Sequence, residues 1–175
     1  MMGLILQVVE ETVVEVGGED LWDVMTERAG VEGIYSRLDS YPMSEFLALL
    51  DALAAELSLS VDETMAVAGE RAFPHLYSRW PEDQRHYEDP ISLIEALNQV
   101  IHSEVRGWTE NANPPLFSIY SDGSDHIIRY DSARGLVQLC RGLIKGVFAW
   151  FDWDCEVVVE SVDQEGAEFR VFRSS

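Results

Sequence analysis

The run Tyr130-Asp131-Ser132-Ala133-Arg134 is the most informative stretch of this 175-residue chain. Residues i, i+2 and i+4 of a β-strand point to the same side, so an extended run projects Tyr130, Ser132 and Arg134 from one face. Two hydroxyls and a guanidinium fork can hold carboxylates, and an arginine can do so through two parallel hydrogen bonds. The pattern predicts either a site for an anionic ligand or the polar outer face of an edge strand.

A second stretch, Val100-Ile101-His102-Ser103-Glu104-Val105, lies upstream in a helix predicted over residues 91–107. Asn98 and His102 are four residues apart on that helix, at the edge of its apolar stripe. An imidazole at the margin of a buried face can reach a pocket, and histidine is the commonest protein ligand of haem iron. For an isolated histidine, a half-exposed surface position is the commoner alternative.

Around these stretches, helical periodicity fills the first half of the chain and strand periodicity much of the second. Helices are predicted over residues 3–16, 20–28, 44–57 and 60–77, with Gly17-Gly18 ending the first and a capping box at Ser60 and Glu63 opening the last. Strands over residues 116–120, 126–132, 156–161 and 168–172 form two hairpins, and a buried helix over residues 135–152 separates them. This order predicts one α+β domain with an antiparallel sheet of about four strands.

The charge balance narrows the classes of partner. Lysine and arginine number 12 against 32 acidic residues, which gives a net charge of −20. So negative a protein repels nucleic acid and anionic membranes and favours basic partners. An anionic ligand in such a chain needs a cation of its own, and Arg134 is the candidate.

Neither a membrane segment nor a disulfide is predicted. No apolar run approaches the roughly 18 residues of a membrane span. The start of the chain has no basic residues before its apolar ones, so it does not read as a signal peptide, and we expect a cytoplasmic protein. Cys140 and Cys155 are too far apart for a CxxC motif, and we expect two buried free thiols.

Several segments, in order from residue 1 to about residue 172, resemble the haem nitric oxide/oxygen binding (H-NOX) family. The start of the chain, the turn at Gly17-Gly18 and the histidine segment resemble the family's corresponding parts. Pro114-Pro115 follows at the family's distance, and residues 130–134 fit its Y-x-S-x-R signature. Gly142-Leu143-Ile144-Lys145-Gly146 resembles the helix segment after that signature.

The resemblance implies a haem b buried between a helical lobe of about residues 1–60 and a haem-ligating lobe of about residues 61–175. His102 is then the proximal iron ligand, and Tyr130, Ser132 and Arg134 hold the propionates. Ile5 and Pro115 match positions that press on the macrocycle and distort it, which is one way a protein tunes haem iron.

The resemblance also bears on which gas is bound. Oxygen-binding members carry a distal tyrosine nine residues after the first tyrosine of the signature, and that position here is Leu139. The matched distal residues are apolar: Val9, Ala72, Leu76, Leu139 and Leu143. We therefore expect ferrous haem that binds nitric oxide and carbon monoxide and excludes stable oxygen binding. Tyr77 and His75 are the nearby polar side chains that could turn inward.

By the same resemblance the protein is a sensor and not an enzyme. Nitric oxide weakens or breaks the bond between His102 and iron, the helix bearing His102 moves, and a separate protein receives the signal. Standalone bacterial members act on a histidine kinase or a diguanylate cyclase. The zinc site of some bacterial members is not expected, because residues 160–170 contain neither cysteine nor histidine.

Two alternatives remain open at this point. The chain could be a haem-free H-NOX-like protein interaction module. It could also be a carboxylate-rich metal-dependent hydrolase, although no cluster of aspartate and histidine with metal-ligand spacing supports that reading.

Overall fold

The computed structural model describes residues 1–98 and 115–174, and the segment with His102 lies outside these residues. The helices are α1 (Gly3–Ala29), α2 (Met43–Leu57), α3 (Val61–Ser78), α4, described over residues 90–98, and α5 (Val137–Trp150). A short 3-10 helix (Glu82–Gln84) precedes α4. The strands are β1 (Leu116–Asp122), β2 (Asp125–Asp131), β3 (Cys155–Val162) and β4 (Gly166–Arg173).

The strands form one antiparallel sheet in the order β1-β2-β4-β3. The two predicted hairpins join through the pairing of β2 with β4, in which Ile128 lies opposite Phe169. Both of these side chains are fully buried, and α5 packs on the sheet. The structure packs helices against one antiparallel sheet, which confirms the predicted α+β class.

Helix α1 contains the break that the Gly17-Gly18 pair predicts. The two predicted helices appear as one element with a kink at Gly18, whose φ of 77° and ψ of 178° are not helical. Such a positive φ strains residues with a side chain, which explains a glycine here. The predicted capping box of α3 is also confirmed, since the Glu63 backbone N–H donates to Ser60 Oγ at 3.2 Å and Ser60 N–H donates to Glu63 Oε2 at 2.9 Å.

The strand predicted to run through Ser132 is shorter than expected. Strand β2 ends at Asp131, and Ala133 and Arg134 form a turn before Gly135, whose φ is 69°. The Ser132 N–H still donates to the Glu165 carbonyl at 2.6 Å, just beyond the ladder. Strand alternation is therefore the wrong reason for grouping Tyr130, Ser132 and Arg134, because a turn and not a strand sets the direction of Arg134.

Helices α3 and α5 approach each other closely through glycines. A methyl group at Gly142 would lie 2.0 Å from the Ala66 carbonyl oxygen, and one at Gly69 would lie 2.4 Å from the Leu139 carbonyl oxygen. Glycine at both positions lets the two backbones touch. This contact fixes the part of α5 that carries Leu139 and Leu143.

The described residues contain neither a membrane-spanning helix nor a cluster of metal-ligating side chains. Within residues 1–98 and 115–174, no helix is long and apolar enough to cross a membrane. The same residues contain no group of three or more histidine, cysteine, aspartate or glutamate side chains placed to hold a metal ion. Cys140 and Cys155 are free and buried, as expected.

Candidate functional site

A cavity of about 960 Å³ lies among α1, α2, α3, α4, α5 and the first two strands. This volume is at the upper end of the range of about 300–1,000 Å³ that small-molecule and cofactor sites occupy. Its walls are mostly aliphatic and aromatic side chains from different elements, for example Phe46 and Leu50 from α2 and Ile94 from α4. The cavity therefore suits a large apolar ligand.

The cavity brings together most of the predicted site residues. Those that line it are Ile5, Val9, Ala72, Leu76, Pro115, Tyr130, Arg134, Leu139 and Leu143. Ser132 follows Tyr130 but is not among the lining residues, and His102 lies outside the described part of the chain.

The charged side chains of the cavity wall all carry positive charge. The described lining residues include Arg37, Arg71, Arg79 and Arg134 but neither aspartate nor glutamate, in a chain with 32 acidic residues. Arg79 is paired with Glu11 outside the cavity wall. Arg134 is exposed and follows Tyr130 closely in the chain. The end of the cavity that these two residues line therefore favours a ligand with an acidic group.

Tyr130 is held firmly at that end. Its side chain is 5 % exposed, it pairs with Phe117 across β1 and β2, and the two ring centroids are 5.6 Å apart. Burial raises the pKa of the Tyr130 phenol, while the neighbouring Ser132 hydroxyl and the Arg134 guanidinium oppose that shift. At neutral pH the phenol is protonated and can donate a hydrogen bond to an anion.

Several hydroxyls along the wall are already committed to backbone carbonyls. Thr12 Oγ1 donates to the Val8 carbonyl at 2.7 Å, Thr64 Oγ1 to the Ser60 carbonyl at 2.9 Å, and Tyr77 Oη to the Arg85 carbonyl at 2.9 Å. These hydroxyls are satisfied without a ligand. The wall made by Val9, Ala72, Leu76, Leu139 and Leu143 is correspondingly apolar.

The sequence left open whether Tyr77 or His75 turns into the cavity, and the structure places these two side chains differently. The ring of Tyr77 lines the cavity, but its hydroxyl donates to Arg85 as described above. His75 does not line the cavity, and its Nε2 lies 2.7 Å from Glu15 Oε2 on α1.

The comparison with known protein families decides which family this chain represents. The family model described as haem-NO-binding matches residues 2–159. The chain belongs to the haem-NO-binding (H-NOX) family. Members of this family are haem-based gas-sensing domains, and no curated protein sequence matches the chain.

Solved H-NOX structures share the fold over the whole chain. An H-NOX protein from S. oneidensis in its Fe(II)NO state is 22 % identical, with a TM-score of 0.85 and coverage of 100 % of both chains. An unliganded Fe(II) H-NOX protein from K. algicida is 24 % identical, with a TM-score of 0.79 and coverage of 100 % of this chain and 97 % of that one. An oxygen-binding H-NOX domain in complex with oxygen is 17 % identical, with a TM-score of 0.83 and coverage of 100 % and 96 %.

Some lining residues of this H-NOX domain were not predicted from the sequence. Arg37 and Ser40 reach the cavity from the segment between α1 and α2, where no periodic pattern marks them. That segment is held against the start of the chain, since Gly3 N–H donates to the Asp39 carbonyl at 2.8 Å. The apolar stripe of α2, which contributes Phe46 and Leu49, was a usable signal for its part of the wall.

Proposed function

We propose that this H-NOX domain is a haem-based sensor that binds nitric oxide at ferrous haem and does not form a stable oxygen complex. The observation that carries the proposal is the apolar cavity of about 960 Å³ with Tyr130 and Arg134 at one end. Haem b is an apolar macrocycle with two carboxylates. The apolar side chains of the cavity wall suit the macrocycle, and Tyr130 and Arg134 suit the carboxylates. Haem supplies an iron that binds diatomic gases.

The residues of the chain fit a haem in distinct roles. Tyr130 and Arg134 line the cavity and, together with the adjacent Ser132, would hold the propionates. Ile5 and Pro115 line the same cavity and would press on the macrocycle. His102 is proposed as the iron ligand from the family motif in the sequence.

The apolar wall supports the proposed selectivity. Bound oxygen draws electron density from iron and is stabilised by a hydrogen-bond donor, whereas nitric oxide binds ferrous haem strongly without one. Leu139 and Leu143 offer no donor, and the Thr12 and Tyr77 hydroxyls donate to carbonyls. Carbon monoxide, which likewise needs no donor, is expected to bind.

The signalling part of the proposal concerns what the chain does once gas is bound. His102 would hold the haem iron, and nitric oxide bound there would weaken or break that bond, so that the helix predicted from the sequence over residues 91–107 would be free to shift relative to the sheet. A ligand that favours one of two arrangements in this way changes their populations. The proposed receiver is a cytoplasmic histidine kinase or diguanylate cyclase with a basic surface, which the net charge of −20 would attract.

Spectroscopy of the purified, reduced protein tests the proposal. We expect a haem Soret band that shifts when nitric oxide or carbon monoxide is added without air. His102→Gly should lose haem unless imidazole is supplied. Protein that stays colourless when haem is provided during expression would contradict the proposal and favour the haem-free interaction module.

A further inference from the structure

The side chain of Asn98 is bound to both backbone groups of one residue in β1. Asn98 Nδ2 donates to the Phe117 carbonyl at 2.6 Å, and Phe117 N–H donates to Asn98 Oδ1 at 2.9 Å. Among the described strands, β1 lies at the edge of the sheet, so none of them pairs with its outward N–H and C=O groups. The primary amide of Asn98 takes the place of that missing strand at Phe117.

This pair of hydrogen bonds brackets the segment that contains His102. Asn98 lies four residues before His102, and Phe117 lies fifteen residues after it. The two bonds hold the end of the described part of α4 directly against β1. Any displacement of α4 must therefore break these bonds or carry β1 with it.

The same pair leads to the anion-binding end of the cavity. Phe117 lies opposite Tyr130 in the register of β1 and β2, and their ring centroids are 5.6 Å apart. Both side chains line the cavity, as does Leu97, which precedes Asn98. A continuous path of contacts thus runs from α4 through Asn98 and Phe117 to Tyr130.

We propose that Asn98 is a positioning residue that couples α4, the helix on which the sequence predicts His102, to the strand pair that carries Tyr130. With haem held through His102, Asn98 would keep α4 in place, and it would transmit a shift of α4 to β1 once nitric oxide weakened the hold of His102 on the iron. The inference rests on the proposed function, because it takes His102 as the iron ligand. It adds a residue that contacts neither iron nor gas.

The test compares the intact protein with Asn98→Ala in three measurements. Removing both hydrogen bonds should raise the rate at which nitric oxide releases His102 from iron by about tenfold. Stopped-flow absorbance of the Soret band measures this rate. The iron–histidine stretching frequency of the gas-free reduced protein should shift in resonance Raman spectra. The Phe117 amide should exchange its hydrogen faster, which is measured by NMR or mass spectrometry.

A matched control removes an amide of the same kind elsewhere. Gln7 Nε2 donates to the Tyr35 carbonyl at 2.8 Å and ties α1 to the segment that follows it. Gln7 does not line the cavity, so Gln7→Ala should leave the release rate and the stretching frequency at the parent's values. A second variant, Asn98→Asp, keeps the acceptor for Phe117 N–H but loses the donor, and should give an intermediate rate if Asn98→Ala does not fold.

The outcomes separate this inference from the proposed function. Faster Phe117 exchange with an unchanged release rate and stretching frequency would overturn the coupling role while leaving the sensor proposal intact. A gas-free parent without an iron–histidine stretch, or one whose stretch persists in His102→Gly, would overturn both. A faster release confined to the Asn98 variants supports the coupling.

Discussion

At the scale of single residues, Leu139 is the side chain to which we assign the proposed gas selectivity. It lies on α5, half-buried in the cavity wall, and its carbonyl oxygen faces Gly69 of α3 at close range. Because that contact fixes the backbone of α5, a larger side chain at position 139 must project into the cavity. A tyrosine at this position would therefore add a hydroxyl to the cavity wall, whereas leucine offers no donor.

Replacing Leu139 by tyrosine should create measurable oxygen affinity, because the new hydroxyl can donate to bound oxygen. The measurement is the absorption spectrum of the reduced protein before and after exposure to air. Leu139→Phe is the matched control, since it adds the ring without the hydroxyl and should not form a stable oxygen complex. A stable oxygen complex in the unmodified protein would contradict the proposed selectivity.

Arg134 is the residue whose loss should weaken haem binding most selectively. Arg134→Ala removes the proposed charge-assisted hydrogen bonds to a propionate and should lower haem affinity by about 10- to 100-fold, measured by haem transfer to an acceptor protein. The iron–histidine stretching frequency should be retained. Arg28→Ala, which removes a surface ion pair with Glu56 at 2.9 Å, is the charge-matched control. Equal haem loss in both variants would show that the effect is not specific to the cavity.

At the scale of elements, the contact between α3 and α5 determines the shape of the cavity. Both helices contribute to its wall, and Gly69 and Gly142 bring their backbones together. The two helices can lie this close because neither glycine has a side chain at the contact. A methyl group at the interface has nowhere to go without a shift of the backbone.

Gly142→Ala should destabilise the fold by about 1–3 kcal/mol, because the new methyl group would lie 2.0 Å from the Ala66 carbonyl oxygen. Urea unfolding of the protein measures this change. Ala149→Ser, on the exposed side of the same helix, should change stability by less than about 0.5 kcal/mol. Equal stability of Gly142→Ala and the parent would mean that α3 and α5 are not in backbone contact.

The turn between β3 and β4 contains a group that makes stability depend on pH. The Arg129 guanidinium and the N–H groups of Glu165 and Gly166 lower the pKa of Asp163 to about 2. Since the folded-state pKa is below the unfolded one, Asp163 stabilises the fold above about pH 4, and this contribution is lost as the pH falls towards 2. Asp163→Asn should flatten the dependence of unfolding free energy on pH in that window; an unchanged profile would contradict this assignment.

The sequence predicts the elements better than it predicts their ends and their contacts. Periodicity and the capping box at Ser60 locate the helices, because these signals are local. The end of β2 at Asp131 was missed because the turn after it depends on Gly135 and on pairing with β4, which is remote in sequence. The contact of Asn98 with Phe117 was also beyond prediction, although Asn98 stood out on its helix, because it requires the fold to bring the two together.

At the scale of the whole molecule, the distribution of charge distinguishes the cavity from the surface. The chain has a net charge of −20, yet among the described lining residues every charged side chain is an arginine. This distribution of charge suits the proposed basic partner at the surface and the proposed anionic cofactor in the cavity. The proposed division into a helical lobe of about residues 1–60 and a haem-ligating lobe of about residues 61–175 would put haem between them.

The most direct test of the central claim is the anaerobic absorption spectrum of the reduced, haem-loaded protein, recorded before and after addition of nitric oxide and, separately, of air. Our account predicts a Soret band that shifts with nitric oxide and shows no stable oxygen complex in air. A protein that holds no haem, or a reduced haem whose spectrum ignores nitric oxide, would contradict it.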